Sequence, residues 1–201
     1  MSRRIVYVGA HCDDAEIWAG GTLIKHKQEG DDIFLAIRDH SDDNRKREQK
    51  EASSLVGFEH AYYSTRNDLE YFFSNTVPDV LITHWDDDSH TDHRATNQDA
   101  ITSIKKIRQE FKKPLRFFSC DTYNKIGLHG EFNPSMYVDI SDFIDKKREL
   151  IHCFKSQNPT YWTSKVELIT ALYGSRCRNQ HSEGFKEFSL LGSAFSSTHL
   201  L

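Results

Sequence analysis

The sequence has no Cys-x-x-Cys pair, no long apolar run and no excess of basic residues, and each absence closes off a class of function. Its four cysteines, Cys12, Cys120, Cys153 and Cys177, are widely spaced, which argues against a zinc ribbon or a small disulfide framework and leaves reduced thiols as the expectation. No stretch could span a bilayer, and the apolar run after Met1-Ser2-Arg3-Arg4 is too short for the core of a signal peptide. A cytoplasmic protein without membrane contact is expected. With 26 Lys and Arg against 30 Asp and Glu, the formal net charge of −4 offers nucleic acid no basic face. A small neutral or polar substrate fits better. Repeats, low-complexity tracts and linkers are also missing, so the 201 residues read as one domain, 1–201, with a substantial core.

What the sequence does contain is an alternation of apolar strands and amphipathic helices. Ile5 to Val8 reads as a strand, Ala15 to Glu29 as a helix ending at Gly30, Asp32 to Ile37 as a second strand and Asp43 to Val56 as a charged helix stopped by Gly57. Glu59 to Ser64 reads as a third strand. After a polar stretch, Pro78-Asp79 introduces the strand Val80 to Thr83, and Ala95 to Phe111 follows as a helix with Ile101, Ile104 and Ile107 on one face. Alternation of this kind implies an α/β fold with a mostly parallel sheet flanked by helices. The rhythm then loosens. Leu115 to Cys120 and Met136 to Ile140 read as strands, Asn124 to Pro134 as a loop, and Phe143 to Ser156 as a helix capped by Ser141-Asp142. Trp162 to Arg176 reads as a last helix, and Phe185 to Leu190 as a last strand, antiparallel at an edge.

Two clusters carry the chemistry. His11-Cys12-Asp13-Asp14-Ala15-Glu16 follows the first strand, and Asp86-Asp87-Asp88-Ser89-His90-Thr91-Asp92-His93 follows Val80 to Thr83. If the two strands run parallel in one sheet, both clusters emerge on its carboxyl edge and can build one site. His11 and Asp14, three residues apart, can face one ion, and His93 can complete a set of two histidines and one aspartate that leaves coordination open for water and substrate. Asp13 is then a spare carboxylate able to take a proton from water, and His90 can stabilise an oxyanion or protonate a leaving group. Asp92 can orient a neighbouring imidazole. Asp and His are also common at helix starts, where Asp13 or Asp14 can merely satisfy free N–H groups. The run Asp86-Asp87-Asp88 reads as a solvated loop.

Ala10-His11-Cys12-Asp13-Asp14-Ala15-Glu16-Ile17 followed by Gly20-Gly21-Thr22-Leu23 resembles the A-H-P-D-D-x-E…G-G-T-L signature of the PIG-L/LmbE-like zinc-dependent N-deacetylases. His90-Thr91-Asp92-His93-Arg94-Ala95-Thr96 resembles that family's H-P-D-H-R-A-T element. Arg45-x-x-Glu48, Tyr137-Val138-Asp139-Ile140-Ser141, Ser156-Gln157, Tyr173-Gly174 and His181-Ser182-Glu183-Gly184-Phe185 continue the likeness along nearly the whole chain. The resemblance implies a Rossmann-like fold and a Zn2+ ion held by His11, Asp14 and His93. It also implies Asp13 as general base, His90 in an electrostatic or acid role and Asp92 in an orienting one. The implied reaction is removal of an N-acetyl group from an amino sugar or its conjugate. Hydrolysis of another N-acyl amide, or sugar and metal binding without turnover, are the competing readings, and a homo-oligomer is possible. Two histidines and one aspartate also accept iron, cobalt or manganese.

The chain departs from the pattern at Cys12, where the family has proline, and at Arg38-Asp39-His40, where it has threonine and Gly-Glu, so substrate contacts there should differ. Cys12 reads as a small buried filler. Candidate substrate contacts are Arg45, on an otherwise solvated helix face, Trp18, which can wall the pocket or pack in the core, and His129, in a Gly-rich loop that can act as a lid or lie on the surface. Glu183 can orient a metal-binding histidine or form a peripheral salt bridge.

Overall fold

The computed structural model describes residues 2–111 and 114–188. Seven strands form one sheet in the order β3-β2-β1-β4-β5-β7-β6. They are β1 (Arg4–Gly9), β2 (Asp32–Arg38), β3 (Glu59–Tyr63), β4 (Val80–Thr83), β5 (Arg116–Cys120), β6 (Met136–Asp139) and β7 (Ser182–Phe188). The first five strands pair in parallel, and β7 is antiparallel to both β5 and β6. Among the described residues six α-helices connect them: α1 (Asp14–Gln28), α2 (Asp43–Val56), α3 (Arg66–Thr76), α4 (Thr91–Phe111), α5 (Ile144–Cys153) and α6 (Pro159–Cys177).

The two-residue period of β1 sorts the core into two layers. Ile5 and Tyr7 join Ile33, Leu35 and Ile37 of β2 under Leu23 and Ile24 of α1, Leu150 and Ile151 of α5, and Val166 of α6. Val6 and Val8 face the other way, against Leu69 and Phe73 of α3 and Ala100, Ile104 and Ile107 of α4. Both faces are therefore covered, as a parallel sheet requires.

The structure differs from the sequence reading in several elements: the helix read to Ser156 stops at Cys153, and the last strand begins at Ser182, not Phe185. Helix α3 occupies the stretch read as merely polar, started by a reciprocal cap in which Thr65 accepts the Asp68 N–H and Asp68 accepts the Thr65 N–H. Helix α4 begins at Thr91, not Ala95, so the second cluster's last histidine lies on the helix itself. Helix α6 starts at Pro159, where proline's missing N–H is harmless. The last strand is antiparallel as read, but it lies inside the sheet, and β6 forms the edge; Ser189 and Leu190 fall outside the described residues.

Glu183 is neither peripheral nor beside a histidine. It is 2% exposed, accepts the N–H groups of Gly21 at 2.9 Å and Thr22 at 2.7 Å, and pairs with the buried Lys147 ammonium, which also donates to the Ile17 carbonyl at 2.7 Å. The ion pair from α5 and β7 thus binds the backbone in the middle of α1. Glycine is needed there because a Cβ on Gly21 would lie 2.8 Å from Ile140. Among the described residues no helix is long and apolar enough to cross a membrane.

Candidate active site

Strand order reverses between β1 and β4, which are neighbours in parallel register from Ile5↔Val80 to Val8↔Thr83. In an open α/β sheet the crevice at such a switch point is where ligands bind. The two clusters leave the sheet there side by side.

In the turn after β1, Asp13 takes the N-cap position of α1 with φ of 99°, and its side chain caps nothing. Its Oδ1 instead accepts from Arg45 Nη2 at 2.8 Å, and Arg45 also holds the Cys12 carbonyl. Asp14 does satisfy a local amide, the N–H of His11 at 2.7 Å, but its carboxylate has other neighbours. Oδ2 lies 3.0 Å from His84 Nε2 and 3.5 Å from His11 Nδ1, and Oδ1 lies 3.4 Å from His93 Nε2. His11, Asp14 and His93 each offer a donor atom within 4.8 Å of the others, a spacing that can hold a metal ion.

A metal fits this group on its own chemistry. Nε2 of His93 is buried with no well-formed hydrogen bond, its Asp14 neighbour standing off at 3.4 Å, an expensive state that an ion would relieve. The opposite nitrogen, Nδ1, lies 2.7 Å from Asp88 Oδ2, the carboxylate that fixes tautomer and ring orientation in a metal-binding imidazole. Asp88 is 0% exposed and also accepts the His90 N–H at 2.7 Å. This corrects its reading as part of a solvated loop: of the three adjacent aspartates, Asp86 is exposed, Asp87 is bonded to His129, and Asp88 is buried beneath His93. A second group, His84, Asp88 and His93, has no exposed member. It lacks the open position that substrate would need.

His84, the residue after β4, escaped the sequence reading although its place at a strand's carboxyl end is the signal that could have found it. It accepts the Ala10 N–H at 3.0 Å and stacks on His93 with centroids 3.8 Å apart. Burial, reinforced by His93, pushes His84 down to about 4, so it is neutral. Burial also disfavours charge on Asp14 and on His93, but each is outweighed by its neighbours. His84 and His93 hold Asp14 well below the usual carboxylate range, and Asp14 with Asp88 raises His93 to about 10. Without an ion, a proton on His93 balances these carboxylates. Burial and then the Asp14 charge push Asp13 well above its ordinary range against the pull of Arg45.

His11, Asp13, Asp14 and His90 line a cleft of about 220 Å³, walled on its apolar side by Ile17, Tyr123 and Trp162 and reached by Gln157. His93 is sealed beneath, stacked on His90. Nδ1 of His90 accepts the Asp92 N–H at 3.2 Å, which leaves the proton of its neutral ring on Nε2. Burial, with His93 and His11 nearby, lowers its basicity. Asp92 Oδ2 lies 3.4 Å from His11 Nε2. A larger groove of about 720 Å³ runs along the β3 edge, but none of these groups lines it.

The three candidate substrate contacts part company. Arg45 lines the cleft, but its guanidinium is engaged by Asp13. Trp18 stands one layer back, buried edge-on against Tyr123 and Trp162. His129, 84% exposed in its side chain, is tied to Asp87 at 2.5 Å away from the cleft lining. Cys12 is buried against the Tyr62 hydroxyl, and burial raises its thiol to about 12, an inert filler.

No protein-family model matches the chain. The diacetylchitobiose deacetylase of Thermococcus kodakarensis is 21% identical over 220 residues, covering 92% of this chain and 82% of that protein. The solved N,N'-diacetylchitobiose deacetylase from Pyrococcus horikoshii, bound to its inhibitor MPG, superposes with a TM-score of 0.77 at 21% identity over 94% of this chain and 85% of that one. The 4-carboxy-2-hydroxymuconate hydratase from Pseudomonas putida KT2440 superposes with a TM-score of 0.78 at 16% identity, covering 96% and 100%. The chain therefore has the fold that these enzymes share, and since their reactions differ, the choice of reaction rests on the side chains in the cleft.

Proposed function

We propose that this chain is a single-domain, metal-dependent N-deacetylase of the PIG-L/LmbE-like kind, acting on an N-acetylated amino sugar or its conjugate. The observation that carries the reading is the convergence of His11, Asp14 and the poorly bonded Nε2 of His93 with Asp13 and His90 around one small cleft. His11, Asp14 and His93 would hold the ion, zinc by preference of the donor set, which when bound supplies Lewis-acid polarisation of the amide carbonyl and acidifies water.

The chain's own groups do the rest. Asp13, with Oδ1 fixed by Arg45, takes the proton of the attacking water on Oδ2. His90 donates from Nε2–H to the carbonyl oxygen as negative charge develops there. The C–N bond breaks as Asp13 returns its proton to the nitrogen, giving acetate and a free amine. Asp92 orients His11, and Asp88 orients His93. The cleft is below the ~300–1,000 Å³ of ordinary ligand pockets, so it suits the acetamido end of a sugar lying against Tyr123 and Trp162, with the remainder outside.

The test is amine release from a panel of N-acetylated sugars by the zinc-loaded protein. Asp13→Asn should keep its metal and lose at least ~100-fold in rate. Unchanged hydrolysis in that variant would remove Asp13 from the mechanism, and no hydrolysis of any N-acyl amine by the parent protein would overturn the activity.

A further inference from the structure

His11 faces two ways. Nδ1 lies 3.5 Å from Asp14 on the buried side, and Nε2 lies 3.4 Å from Asp92 on the solvent side. On that outer side His40, the second residue beyond β2, stacks on His11 with ring centroids 5.0 Å apart and an interplanar angle of 21°. His11, His40 and Asp92 each offer a donor atom within 4.8 Å of the others. We propose that these three residues form a second divalent-metal site, which competes with the inner site for the imidazole of His11.

The donor set supports this. Two imidazoles and one carboxylate are a transition-metal set, and the exposure of His40 and of Asp92, whose side chain is 43% exposed, leaves positions for water. Nε2 of His40 donates to the Ala10 carbonyl at 2.8 Å, which leaves the lone pair of the neutral ring on Nδ1 and holds the ring in place as second-shell bonds do in metal sites. An ion reaches this group from solvent, whereas Asp14 and His93 are buried.

The competition follows from valence. A neutral imidazole has one lone pair and one N–H, so His11 serves the inner ion or the outer ion, and serves both only by giving up its remaining proton. An outer ion also engages Asp92, which otherwise orients His11. Occupancy of the two sites is therefore negatively coupled, and the coupling is reciprocal. Excess metal should inhibit the enzyme through the outer site. The inhibitory consequence rests on the hydrolase reading; the binding does not.

The experiment is equilibrium dialysis of the metal-stripped full chain against rising Zn2+, with metal content measured, beside His40→Ala and His93→Ala. The parent should bind a tight equivalent and a weaker one. His40→Ala should keep the tight equivalent and lose the weaker, and His93→Ala should still bind zinc through the outer group. Two equivalents in His40→Ala, or one in the parent at every concentration, overturns the site. If the parent releases amine, excess Zn2+ should inhibit it, and His40→Ala should need at least ~10-fold more for the same effect. Equal inhibition overturns the competition even where the second equivalent exists.

Discussion

Removing the Glu183 carboxylate should be among the most damaging single changes outside the cleft. In Glu183→Ala the Lys147 ammonium, 1% exposed in its side chain, loses its counter-charge while keeping the Ile17 carbonyl, and the Gly21 and Thr22 amides lose the carboxylate they donate to. Breaking a buried pair from one side costs about 3–5 kcal/mol, and the two bonds from the Gly21 and Thr22 amides are lost with it. The lower bound of about 3 kcal/mol is already a large share of the ~5–15 kcal/mol that separates folded from unfolded protein. For a chain of this size it corresponds to a fall in Tm of roughly 6–12 °C. Lys147→Met should cost less, because the carboxylate keeps two N–H donors. The pair Lys147→Met with Glu183→Gln should lie closer to the parent than the sum of its singles by about 1–3 kcal/mol. Urea titration followed by circular dichroism reads these differences as shifts in midpoint at constant slope, and Glu183→Gln serves where the alanine variant does not accumulate. A loss below about 1 kcal/mol in Glu183→Ala would show that the ion pair is incidental to α1.

Two further outcomes are expected. Asp88→Asn removes the charge that orients His93 and should weaken zinc binding about 10–100-fold with little change in the far-UV spectrum; competition against a chromophoric chelator measures it, and unchanged affinity would refute the role given to Asp88. Asp121, buried against the Tyr173 hydroxyl, is raised to about 6 by burial. Its folded-state pKa exceeds its unfolded one, so the folded state holds the proton more tightly, and this contribution is full below about pH 4 and lost as pH rises through about 6. Two units correspond to about 3 kcal/mol at most. Urea midpoints of the parent and Asp121→Asn across that window should diverge in pH slope, and parallel curves would refute the argument.

Strands β1, β2 and β4 were legible because a parallel sheet covered on both faces forces continuous β-branched runs, and α1 and α2 because glycine at 30 and 57 closes them. His11, Asp13 and Asp14 were legible for the same reason, since they follow β1 closely, whereas His84, which follows β4 directly, stood alone and was passed over for the denser cluster beyond it. Helix α3 was hidden by a polar composition whose inward side is carried by little more than Leu69 and Phe73. Asp88 was hidden by its neighbours: three adjacent carboxylates look solvated in sequence, and only the turn into α4 brings one of them under an imidazole. The Arg45 contact with Asp13 was equally invisible, since it joins an exposed-looking helix to a turn thirty-two positions away.

The position of β7 has a consequence for the order in which the protein can be made. Among the described residues β6 has no neighbour in the sheet except β7, and β5 meets β7 on the side away from β4. A nascent chain that has emerged as far as α6 can pair its first five strands, but it carries an open β5 edge and a β6 segment with nothing to join. Residues 182–188 settle both at once, and they deliver Glu183 to the helix that begins at Asp14. Pairing across so long a stretch of chain is slow to form, so the carboxylate that clasps α1 at Gly21 and Thr22 arrives only after the helix itself and its strands are in place.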